Sequence, residues 1–321
     1  MKLKKSMKIP RIQIFFCLNL LLAGCTGQDL LQGDGDDLRP LGVASLATPV
    51  GNTGAVYAST RAGGIIGLPA TSEIGFFMAE NTAARYEAVD NRRGTYNTAT
   101  HVWQPDTEIW MNNMAASLAV YYPYDASQTT AGVLNLSAGP RIGAAGKERE
   151  LWCTAFKADS RTEDINLVLK QLYSRLTVTF VKSAGKPYTG TAKLTGVKLA
   201  GVYASATYHP TEKRYTPAGT EVVTGTLSLI VGEPAAANPV VTDLLLIPVT
   251  ALTGDITLTA TIDGKEMTMK ITPDKLANTL AAGKQYTLTV VLLPTGLRLS
   301  SLQTTDWDNS PPEITGDATY Q

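Results

Sequence analysis

Residues 256–271 read ITLTATIDGKEMTMKI and decide the fold. Ile256, Leu258, Ala260 and Ile262 alternate with threonines, Asp263-Gly264 follows, and Met267, Met269 and Ile271 then alternate with polar residues. Successive side chains of a strand point to opposite faces, so a period of two marks a half-buried strand. Asp-Gly suits the left-handed dihedrals of a type I′ turn. The stretch is therefore a β-hairpin with one apolar face.

The same period recurs outward from it. It runs through Ala116, Leu118, Val120 and Tyr122, through Leu176, Val178 and Phe180, through Leu227 and Leu229, and through Tyr286, Leu288, Val290 and Leu292. Helix signals are few. Thr272-Pro273 offers a hydroxyl cap and an N1 proline before Leu276 and Leu280, with Gly283 as a stop, which predicts one short turn. Leu167 to Leu176 also fits helical spacing through Leu169, Leu172 and Tyr173, and periodicity leaves helix and strand both open there. Many short strands punctuated by Gly, Pro and Asn predict an all-β chain of antiparallel β-sandwiches. The polar stretch from Ala158 to Glu163 lies between apolar runs and is the expected domain boundary.

At the other end, an apolar run from Ile12 to Leu22 follows five basic residues and closes on Leu22, Ala23, Gly24 and Cys25. A basic start, a run of this length and small residues at the cut make a secretory signal. The run is shorter than the ~20 residues of a membrane span. A cysteine just after those small residues is the acceptor for diacylglycerol, so Cys25 is the expected lipid attachment point. Cleavage there removes five of 28 basic residues and none of 28 acidic ones, leaving a net charge near −5. That balance gives nothing to draw nucleic acid. Of three cysteines, Cys17 leaves with the signal and Cys25 carries lipid, so Cys153 has no disulfide partner within the chain. Thr26 to Pro40, with Asp29, Asp34, Asp36 and Asp37 among glycines, reads as a solvated tether.

Catalytic chemistry finds no footing. His101 and His209 lack partners at metal spacing, where a zinc centre needs about three protein ligands. Cys153 beside Trp152 reads as a buried, inert thiol. Gly143 to Lys147 resembles a phosphate loop, but Glu148 stands where Ser or Thr would bind magnesium. Tyr121, Tyr122 and Tyr124 could stack on sugar, yet they end an alternating strand and read as packing. The reading assigns no catalytic residue, no metal and no cofactor.

One ordered set of landmarks remains. It comprises Cys25, Ser59-Thr60-Arg61-Ala62, Glu73-Ile74-Gly75-Phe76-Phe77, Tyr121-Tyr122-Pro123-Tyr124, the strand from Leu172 to Phe180, Leu246-Ile247-Pro248, Ala282-Gly283-Lys284-Gln285-Tyr286 and Asp306-Trp307. In order and spacing it resembles the fimbrillins of Bacteroidales, the subunits of type V pili. Ser174 and Arg175 depart from it, standing near where many relatives carry a histidine.

The resemblance implies two tandem transthyretin-like β-sandwich domains carried to the outer membrane as a surface lipoprotein. It divides the chain into a signal peptide at 1–24, a lipidated tether and propeptide strand at 25–61, an N-terminal sandwich at 62–160 and a C-terminal sandwich with donor strand at 161–321. An arginine-specific protease then removes the propeptide strand, and the opened groove accepts a strand from a neighbouring fimbrial subunit. Arg61, before Ala62 and two glycines, is a better cut than Arg39, which precedes Pro40. The expected donor runs from Leu297 onward through Leu299 and Leu302, whose register is open because Leu302 is out of phase with the other two. The function implied is adhesion to host or bacterial surfaces. A rival reading from another class is a glycan-binding surface lipoprotein.

Overall fold

The computed structural model describes residues 38–49, 65–141, 150–224, 227–232 and 240–307. Cys25, Arg61, Ala62, residues 26–37 of the tether and residues 143–147 lie outside them, while the end of the stretch read as a tether, Arg39–Pro40, is a short strand paired with Trp110–Met111. Of the described residues 55% are in strands and 3% in helix, and the open sheets stack as β-sandwiches, as the alternation predicts.

The hairpin forms as read. Strands Ile256–Ile262 and Lys265–Ile271 pair in register, with Asp263 and Gly264 at positive φ in the turn and one face of each strand buried. It belongs to a sheet whose other strands include Lys193–Ala200 and Glu221–Val223. That sheet packs against a five-stranded one, ordered Gly139–Pro140, Val240–Leu246, Ser174–Lys182, Lys284–Leu293 and Gly296–Asp306. Between them lies a core including Val178, Phe180, Leu258, Leu288 and Val290.

A six-stranded sheet builds the N-terminal sandwich, ordered Lys170–Gln171, Trp152–Ala158, Ala116–Tyr122, Ile74–Met78, Val89–Asn97 and Val102–Pro105. Both of its faces are covered. Ile74, Phe76, Leu118, Val120 and Trp152 face one core; Phe77, Ala119, Tyr121 and Cys153 face another. The second face is capped by the sheet of Leu134–Ser137, Ser205–His209 and Arg214–Ala218. Gly75 is required here: a Cβ on it would lie 1.8 Å from Cε1 of Tyr121. Among the described residues pairing is antiparallel apart from two parallel pairs, Asn166–Val168 with Ser45–Pro49 and Ser174–Lys182 with Lys284–Leu293. Pairings also run across residues 160/161, since Leu134–Ser137 and Gly139–Pro140 join strands from after that point.

One open reading resolves, and the expected short turn forms. Leu167 to Leu176 is extended, in strands Asn166–Val168, Lys170–Gln171 and the start of Ser174–Lys182. Its helix-like spacing arises because the chain crosses three cores in turn, with Leu169 in the first, Leu172 and Tyr173 in the second and Leu176 in the third. The turn after Thr272 is the 3-10 helix Pro273–Leu276. It departs from expectation in two details: the Thr272 hydroxyl makes no capping hydrogen bond to the helix, and left-handed Ala277 ends it rather than Gly283.

Candidate functional site

Residues 39–49 bind to the N-terminal sandwich as a seam. Arg39 and Pro40 pair with Met111 and Trp110, the Leu41 amide donates to the Ile109 carbonyl at 2.8 Å, and Val43 and Trp103 exchange both backbone hydrogen bonds at 2.9 and 2.8 Å. From Ser45 the segment becomes the central strand of a three-stranded sheet, parallel to Asn166–Val168 and antiparallel to Ile65–Gly67. Leu41, Val43, Leu46 and Thr48 are at most 4% exposed. They are structural core, yet they precede Arg61. If residues 39–49 left, the amides and carbonyls on both sides of this strand would lose their partners, and an unmade buried hydrogen bond costs about 1–3 kcal/mol.

The seam is imperfect at one point. The buried Thr48 hydroxyl has no hydrogen-bond partner. Beside the seam lies a cavity of about 310 Å³, lined among others by Arg39, Gly42, Glu108, Asp159 and Asp164. Asp159 accepts hydrogen bonds from the Thr162 hydroxyl and the Arg161 amide, which hold its carboxyl below the usual range.

The expected donor leucines lie in strand Gly296–Asp306, an edge strand on Lys284–Leu293. Sequence phase put Leu302 on the wrong face, and a bulge corrects it. Thr289 faces Ser301 while Val290 faces Leu299, so Ser300 is the extra residue and Leu297, Leu299 and Leu302 all pack on the C-terminal core. Each is only half-buried. Just beyond, Trp307 is buried, its amide donating to the Gly283 carbonyl at 2.8 Å, with the Arg175 guanidinium 6.0 Å over its ring.

Arg175 anchors a polar network that the alternation concealed. Its Nε and Nη2 donate to both carboxylate oxygens of Asp243 on the adjacent strand, at 2.8 and 2.6 Å. Arg141 joins Asp243 to the buried Glu150, whose other oxygen accepts from Gln171 at 3.2 Å. An arginine and an aspartate, each set in an apolar strand run, were the available signal.

The remaining motifs fall to packing or to the surface. Burial pushes the Cys153 thiol up. Tyr121 is fully buried, donating to Asn91 at 2.5 Å, and Tyr122 and Tyr124 are half-buried against two different cores, so they present no common face to a sugar. His101 is exposed, and His209 lines a second cavity of about 200 Å³. Among the described residues no group of His, Cys, Asp and Glu could hold a metal.

This is an all-β sandwich protein whose N-terminal core includes a segment lying before a candidate cleavage point. The fimbrillin-like family matches residues 60–307, and the chain belongs to it. Membership places it among structural, non-enzymatic subunits of fimbriae at the cell surface. Among solved structures, it is similar to a candidate cell adhesion protein from Bacteroides uniformis, at 15% identity and a TM-score of 0.54 over 84% of this chain and 98% of that one. A second, from Bacteroides ovatus, matches at 13% identity and a TM-score of 0.53 over the same shares. These likenesses are of fold. No curated protein matches the chain.

Proposed function

We propose that the chain is a fimbrial subunit exported as a lipoprotein on Cys25, cut after Arg61 by an arginine-specific protease, and polymerised by strand exchange for adhesion. The observation that carries this reading is the burial of Leu41 and Val43 in the seam and of Leu46 and Thr48 in the central strand of a small sheet, all before the cut and before the family match at 60–307. Cutting after Arg61 turns this strand from a covalent part of the fold into a bound peptide. Its release leaves a slot with an open strand edge on each side. A neighbour's C-terminal stretch from Leu297 onward fills the slot, as backbone ladders form on both sides and leucines re-enter the core. In its own sheet that stretch has one ladder and half-buried leucines; in the slot it gains two ladders and fuller burial. The exchange proceeds if that gain outweighs the edge it gives up. Contacts repeated head to tail without closure build a filament.

The test is limited cleavage with an arginine-specific protease, followed by size-exclusion chromatography and electron microscopy. The parent should become filamentous on cutting, while Arg61→Ala should stay uncut and monomeric. Filaments from uncut Arg61→Ala, or a cut parent that stays monomeric, would overturn the reading.

A further inference from the structure

Residues 41–48 read LGVASLAT and residues 297–304 read LRLSSLQT. The two octapeptides share Leu, Ser, Leu and Thr at the first, fifth, sixth and eighth places and carry a branched aliphatic at the third. Each also breaks alternation at the same place. In the first, Leu41 and Val43 are buried, then Leu46 and Thr48, with the amides of Ala44 and Ser45 both donating to the Ile165 carbonyl at the break. In the second, Leu297 and Leu299 point inward, then Leu302, with Ser300 as the bulged residue. A one-residue slip sends every later side chain to the other face, so a shared kink matters as much as shared side chains.

The geometry points to a defined register between two copies of this chain: residues 297–304 of one cut subunit replace residues 41–48 of the next, residue for residue. Leu297 takes the site of Leu41, Leu299 that of Val43, Leu302 that of Leu46 and Thr304 that of Thr48. The incoming strand runs parallel to Asn166–Val168 and antiparallel to Ile65–Gly67. This register rests on the strand exchange proposed above and adds which residue meets which.

One difference between the octapeptides also fits. Arg298 replaces Gly42, where a Cβ meets nothing closer than 3.4 Å, from the Val102 side chain. That position opens on the cavity lined by Glu108, Asp159 and Asp164. Cleavage after Arg61 removes Arg39 from the cavity, and Arg298 brings a guanidinium back to the three carboxylates. Ser301 keeps a hydroxyl where Ser45 now donates to the Asn166 side chain.

The register can be read by cross-linking. Ser45 and Asn166 are partners on parallel strands, so in this register S301C lies within disulfide reach of N166C in the accepting subunit, for which Cα atoms need about 4.4–6.8 Å. Cut, oxidised S301C/N166C protein should give a ladder of covalent multimers on a non-reducing gel. S300C/N166C and Q303C/N166C should give at least tenfold less. Filaments that link preferentially through position 300 or 303, or through none of the three, would overturn the register while leaving strand exchange standing. No filament from the cut parent would overturn both.

Discussion

The Ser45 hydroxyl donates to the Asn166 side-chain oxygen across a parallel pair of strands, tying a residue that precedes Arg61 to one 121 positions later. Such a tie would remain after the proposed cut at Arg61, so in the proposed exchange release would be governed by how well residues 41–48 fit the slot.

Thr48 is where that fit can be tuned. Its buried hydroxyl lacks a partner, and an orphaned polar group costs about 1–3 kcal/mol. Thr48→Val keeps the shape and removes the orphan. Thermal unfolding of the uncut protein should show a midpoint raised by about 2–4 °C, and the cut protein should release its fragment more slowly.

Gly75→Ala should be strongly destabilising, because the new methyl meets the ring of the fully buried Tyr121. Overpacking of this kind costs about 1–3 kcal/mol. Gly185→Ala, which meets nothing within 4 Å, is the control and should leave the urea midpoint nearly unchanged.

Trp307 pins the end of strand Gly296–Asp306, with its indole in the core beneath Arg175. Trp307→Ala should therefore speed hydrogen exchange in residues 296–306 well before it does so in the hairpin 256–271. Equal protection in parent and variant would show that the indole does not hold this edge.

Acid sensitivity should have an address in the hairpin turn. The Asp263 carboxylate accepts the amides of Lys193 and Ala192 at 2.9 and 3.0 Å, which hold it below the usual carboxylate range. A carboxyl lowered on folding contributes stability above its unfolded value near 4, and loses it as pH falls through the lower folded value. Asp263→Asn keeps a residue suited to the turn. Urea unfolding should show a smaller loss of stability between pH 5 and pH 2 for the variant than for the parent.

The hairpin at 256–271 and the strands near Leu118, Val178 and Leu288 were legible because the alternate residues read in each line a single core, even in Ala116–Tyr122, whose other face meets a second one. Leu167 to Leu176 was not, since its leucines serve three cores in succession and so imitate a helix. Leu302 was misphased because a bulge at Ser300 carries no fixed residue signature. Arg175 was hidden for a similar reason: its partner Asp243 is 68 residues away, and only strand pairing brings them together. The buried segment was partly visible as apolar residues at 41, 43 and 46, but only the fold shows Leu41 and Val43 in the seam and Leu46 in the middle of a sheet.

The central claim is that residues before Arg61 are displaced by a neighbour's C-terminal strand, and native mass spectrometry tests it directly. Cut protein mixed with excess synthetic peptide of residues 296–306 should lose the fragment ending at Arg61 and gain one peptide per subunit. A peptide lacking Ser300, which spoils the shared kink, should displace far less. A cut subunit that keeps its fragment and binds no peptide would contradict the account.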